Sequence, residues 1–161
     1  MTEHGSRLYG LAHEGSDFDF FAVYDDDRLM RRWVEGDSDC TEVGLPRFLE
    51  LAFSGSHQSV EALFSRQKFW WPAGEKWRPM LDAARVSGAD VFEKYEHTIR
   101  KFCFGDFKRR RHAVRLSINL RYLRRFGRFD PHLSTSDARY ASWMAEGLTG
   151  ADLASRLGVL R

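Results

Sequence analysis

The chain has only two cysteines, Cys40 and Cys103, both in apolar surroundings and without Cys-x-x-Cys spacing. That speaks against a zinc site or a disulfide framework and leaves two buried free thiols as the expectation. No apolar run approaches the roughly 18 residues that a membrane span needs. The first residues are acidic and polar where a signal peptide requires a basic start and an apolar centre, so a soluble, cytoplasmic protein is expected. Internal repeats and low-complexity segments are absent, and the net charge is only +2.

What is present is enough for a folded domain: 161 residues, of which 43% are hydrophobic and 14% aromatic. The small net charge hides an asymmetry, because residues 17 to 39 are rich in acids while residues 100 to 128 are strongly basic. An acidic edge facing a basic helix is the arrangement expected of a metal-nucleotide site beside a polyanion track.

The most informative stretch runs from Gly5 to Val23. A Gly5-Ser6 turn is followed by Asp17-Phe18-Asp19 inside an apolar run. If that run is a strand, Asp17, Asp19 and Phe21 leave one face and Phe18, Phe20 and Ala22 the other. Two carboxylates on one face repel unless a cation lies between them, and hard oxygen ligands suit Mg²⁺ or Mn²⁺. The glycine turn puts no side chain between its backbone and a phosphate. Together these features indicate phosphoryl or nucleotidyl chemistry on a metal-bound nucleotide.

Gly5-Ser6-Arg7-Leu8-Tyr9-Gly10-Leu11 followed by Ser16-Asp17-Phe18-Asp19 resembles the signature of the polymerase-beta-type nucleotidyltransferase superfamily. The wording is similar to its phage and bacterial branch, which is related to RNA-repair nucleotidyltransferases. Asp39 to Phe48 resembles the branch's Asp-led strand running into a Leu-x-x-Phe helix. Gly55 to Leu63 is similar to its helix-opening segment ending in Glu-x-Leu, and His112-Ala113-Val114-Arg115-Leu116 to its His-Ala-x-Arg-Leu helix. The resemblance implies a third carboxylate from a later strand, for which Asp39 is the candidate and Asp37 and Glu42 are rivals. It also implies that Ser16 belongs to the nucleotide site. Only Met1 to His4 precede Gly5, so the first strand is expected to be short and polar.

Periodicity predicts strands over residues 17–24 and 39–43, with 29–34 as strand or linker. Apolar spacing predicts a helix over 45–53 stopped at Gly55, and another over 59–64. Further helices are predicted over 78–86, 90–102, 107–126 and 136–146, and Thr149 to Asp152 looks like a capping box opening a last one. The fold class expected is α+β: a small mixed sheet forming a nucleotidyltransferase core over residues 1–65, and a C-terminal helical bundle over 66–161 beside the cleft. The two parts together can still be one compact domain.

Other features have a plain reading beside the sharp one. Lys108 to His112, extended by Arg115, can bind triphosphate or a polynucleotide backbone, or can be the wet face of a helix. His112 and Arg115 are the candidates for phosphate contact. Arg7 can reach a phosphate or pair with Glu61. His13 reads as a loop histidine and Asp25 to Asp27 as a solvated turn. Phe69-Trp70-Trp71 reads as a hydrophobic plug rather than a base-stacking platform.

The function expected is metal-dependent transfer of an NMP from an NTP, ATP among them, to an acceptor hydroxyl of RNA or tRNA, a protein or a small molecule. Asp17, Asp19 and Asp39 would hold Mg²⁺ or Mn²⁺ and Gly5, Ser6, Arg7, Ser16, His112 and Arg115 the nucleotide. The alternative is a catalytically inactive relative that binds nucleotide, RNA or protein.

Overall fold

Short runs of aromatic and β-branched residues at the start of the chain pair into a four-stranded sheet. A computed structural model describes residues 1–160 of the chain. Strands β1 (Thr2–His4), β2 (Phe18–Tyr24), β3 (Arg31–Glu35) and β4 (Ser38–Gly44) lie in the order β1-β2-β4-β3. Strand β2 runs antiparallel to β1 and parallel to β4, and β3 is antiparallel to β4. The fold is therefore α+β with a mixed sheet. As expected of the sequence, β1 is three residues long, and the segment at 29–34 resolves into strand β3.

A single turn, α1 (Gly5–Leu8), joins β1 to the loop that leads into β2. Phe21, Val23 and Val43 alternate onto one face of the sheet, where Phe21 meets Phe48 of helix α2 (Leu45–Phe53) at a ring-centroid distance of 5.8 Å. Leu45, Phe48 and Ala52 form the buried stripe of α2, and the chain leaves the helix through Gly55, whose φ of 81° admits glycine far better than any other residue. Helix α3 (His57–Phe64) packs beside it.

The segment after α3 runs along the outer edge of β1. Phe69 N donates to Met1 O at 2.7 Å, and Thr2 bridges Lys68. An extended backbone alternates its side chains, so Lys68 and Trp70 turn inward while Phe69 and Trp71 stay 63% and 65% exposed. The expected plug is thus only half a plug. A 3-10 turn (Pro72–Trp77) then leads into α4 (Arg78–Ala83), which ends three residues before its expected limit because Val86 N is drawn to Gly127 O at 2.8 Å.

Helix α5 (Ala89–Cys103) buries Val91, Tyr95, Ile99 and Cys103 at four-residue steps, a ridge that packs on α6 (Phe107–Phe126). Asp106 caps α6 by accepting from Arg109 N at 2.8 Å. Helices α7 (Thr135–Gly147) and α8 (Gly150–Arg156) begin at Ser134 and at the anticipated Thr149 cap. Buried side chains from Leu8 to Val159 form one cluster, and Phe64 packs edge-on against Phe129, so the core crosses the point between residues 65 and 66. Cys40 and Cys103 are free and buried. Among the described residues, no helix is long and apolar enough to cross a membrane.

Candidate active site

Asp19 is the second residue of β2, and the strand register sets it between His4 of β1 and Asp39 of β4. Cross-strand partners share a face, so Asp19 and Asp39 both point to the side on which Phe21 and Val43 meet the helices. The turn of α1 closes over Asp19. Gly5 has φ 66°, and a Cβ built there would fall inside the Asp19 carboxyl group. Glycine is required twice over, by backbone conformation and by the space the carboxylate fills.

Asp17 lies just outside β2 and is exposed. Its loop is held by Arg7, whose guanidinium donates to Ser16 O at 2.8 Å and Asp17 O at 3.3 Å and lies 3.8 Å over the Phe18 ring. Ser16 Oγ accepts from His13 N at 2.9 Å, so its hydroxyl closes the loop. Arg7 makes no bond to Glu61. It braces the approach to the acidic pair instead.

The rivals for the third carboxylate separate by face and by place in the hairpin. Glu42 projects to the opposite face and accepts from Tyr24 Oη at 3.2 Å. Asp37 is exposed in the turn before β4, and its carbonyl accepts from Phe18 N at 2.8 Å. Asp39 alone of the three stands opposite Asp19. Its carboxylate is engaged by Arg32 of β3, its diagonal neighbour across the hairpin.

The two facing acids are perturbed in opposite senses. Partial burial, then the negative charges of Asp39 and Asp17, raise the pKa of Asp19 above the ordinary carboxylate value, against weaker pulls from Lys108 and Arg32. The bond from Arg32 lowers that of Asp39. Among the described residues, no three or more His, Cys, Asp and Glu side chains are gathered as a metal centre.

His112 and Arg115 are not brought to this surface. Arg115 is 1% exposed, bonds to the fully buried Glu61, stacks 3.6 Å over the Tyr9 ring and donates through Nε to His112 Nδ1 at 3.2 Å. A guanidinium so committed does not meet a triphosphate. Tyr9 Oη donates to Glu61 Oε2 at 2.7 Å and lies 3.1 Å from His4 Nε2. Burial alone would lift the Glu61 pKa, but Arg115 overcomes it and holds the carboxylate low. Burial lowers the imidazole of His4 to about 4 and of His112 to about 3, so both are neutral. His4 and Tyr9 bracket α1, and this buried network is the footing of the Gly5-Ser6 turn.

Arg32, His4 and Tyr9 went unnoticed in the sequence as site residues. Gly36-Asp37 between alternating residues was a hairpin signal that would have set Arg32 near Asp39. No comparable local signal marks His4 or Tyr9, because their partner Glu61 comes from α3. No family model, curated protein or solved structure matches the chain.

Proposed function

We propose that the chain is a metal-dependent nucleotidyltransferase that moves an NMP from an NTP to an acceptor hydroxyl, with RNA or a protein as the acceptor class. One observation carries this reading: Asp19 and Asp39 face each other on parallel strands, and Asp19 lies directly against a glycine turn with room for nothing but backbone. The donor set fits Mg²⁺ or Mn²⁺, since its oxygens are hard, the negative neighbours of Asp19 outweigh the positive ones, and a guanidinium already occupies a cation's place on Asp39. Bound by Asp17, Asp19 and Asp39, divalent ions would shield the triphosphate and lower the pKa of the attacking hydroxyl.

The chain's own groups have separate tasks in this scheme. The Gly5-Ser6 backbone approaches phosphate, Arg7 fixes the loop bearing Asp17, and Lys108 adds positive charge felt at Asp19. Arg32 has to release Asp39 when a cation arrives. Its side chain is 70% exposed, so that exchange occurs in screened solvent.

The same Arg32 bond favours a second reading, a catalytically inactive module that binds nucleotide, RNA or protein with Asp39 permanently neutralised. Incubation with α-labelled NTPs, Mg²⁺ or Mn²⁺ and RNA or protein acceptors separates the two. Transfer of label that is lost in Asp17→Ala and Asp19→Ala is expected of the enzyme. Transfer that persists unchanged in both variants overturns the assignment, and nucleotide binding without turnover or cation dependence supports the module.

A further inference from the structure

The two edges of the sheet are treated differently. The outer edge of β1 is covered by residues 67–69, through the Thr2–Lys68 bridge and the bond from Phe69 N to Met1 O. Strand β3 at the other edge is exposed at all five positions. Among the described residues, its backbone has no hydrogen-bond partner outside β4. An open edge is a template for another strand, and proteins usually blunt it with charged side chains, lysine above all, or with proline or a bulge. Strand β3 has no lysine or proline, and its pairing with β4 is unbroken over five residues.

Its sequence is self-complementary instead. Arg31, Trp33 and Glu35 lie on one face, with the apolar Trp33 42% exposed between a cation and an anion. Neither the Arg31 nor the Glu35 side chain has a hydrogen bond or ion pair among the described residues. Val34 is 66% exposed on the other face, and Leu29 and Met30, just before the strand, are 81% and 57% exposed.

We propose that β3 is a dimerisation edge that pairs antiparallel with β3 of a second copy of this chain, about a twofold axis through Trp33. In that register Arg31 lies opposite Glu35 of the second copy, Glu35 opposite its Arg31, and the two indoles meet between the ion pairs. Opposite charges facing across strands stabilise a pairing and like charges oppose it. Slipping two residues one way sets Arg32 against its own counterpart, and slipping the other way sets Trp33 against Glu35. The contact is isologous, and because the β1 edge is covered it stops at two copies, as one eight-stranded sheet.

Sedimentation velocity or light scattering over a concentration series tests this. The wild type is expected to rise from one-chain to two-chain mass. Arg31→Glu and Glu35→Arg, each at an exposed site, are expected to lose that rise, because each sets like charges face to face twice. Mixed in equal amounts, the two variants are expected to regain two-chain mass, since every introduced charge then meets its opposite. Wild type that keeps one-chain mass throughout overturns the proposal. So do single variants that associate like wild type, or a mixture that regains nothing while circular dichroism shows both variants folded.

Discussion

Asp19 and Asp39 stand directly opposite each other on parallel strands, and one guanidinium serves only one of them. Arg32 holds the Asp39 carboxyl below the ordinary range, while burial and the neighbouring acids hold that of Asp19 above it. The pair is therefore short of positive charge, which makes it responsive to cations.

Arg32→Ala is expected to tighten Mn²⁺ binding, because it removes a competing unit charge at contact distance. An effect of about three- to tenfold is the scale expected for one charge near a protein surface. Electron paramagnetic resonance titration of free Mn²⁺ measures it, with Asp19→Ala expected to weaken binding in the same assay. Equal affinities in all three proteins would show that the acidic pair is not the cation site.

The Glu61–Arg115 pair lies beneath the site, with both partners out of contact with water. Removing one partner leaves the other's charge buried, so Arg115→Met and Glu61→Leu are each expected to cost about 3–5 kcal/mol. The double variant is expected to recover most of that loss, since an apolar pair of similar volume needs no counter-ion. Denaturant unfolding gives all three values, and strictly additive losses would contradict the coupling.

Acid is expected to weaken the fold well before its carboxylates titrate. An imidazole whose folded pKa is depressed takes up its proton more readily in the unfolded chain, so its share of stability is lost as pH falls below the ordinary 6.5. His4 and His112, lowered to about 4 and about 3, each contribute a slope of about 1 kcal/mol per pH unit over that window. Glu61, depressed in the fold, adds its loss at lower pH still. Unfolding curves between pH 7.5 and 4.5 test this, with His112→Phe expected to flatten the slope whatever its effect at neutral pH. A wild-type stability that does not change over the range would refute it.

Much of this architecture was legible in the sequence. The boundaries of α2 and α6 follow from apolar spacing and their breakers, and the strand expected over 17–24 forms as Phe18–Tyr24, with Asp17 left just outside it. Arg115 was not legible as a buried residue. It sits in a run of basic residues that resembles a wet helix face, and its partner lies 54 residues away on α3. The middle of α6 is buried nearly all round, from Ala113 to Asn119 apart from the half-buried Ser117, so periodicity has little to resolve there. Phe69 and Trp71 were misplaced for a different reason: hydrophobicity ranks residues for burial but does not reveal that an extended segment must turn every second side chain outward.

The salt link between α3 and α6 also bears on how such a sequence can change over generations. A lineage that discards either the acid at 61 or the base at 115 is left with a stranded charge, so viable descendants exchange both or neither. Tyr9 and His4 are bound into the same bargain, and with them the loop abutting Asp19. The interior and the acidic pocket are therefore inherited together, although only one of them touches solvent.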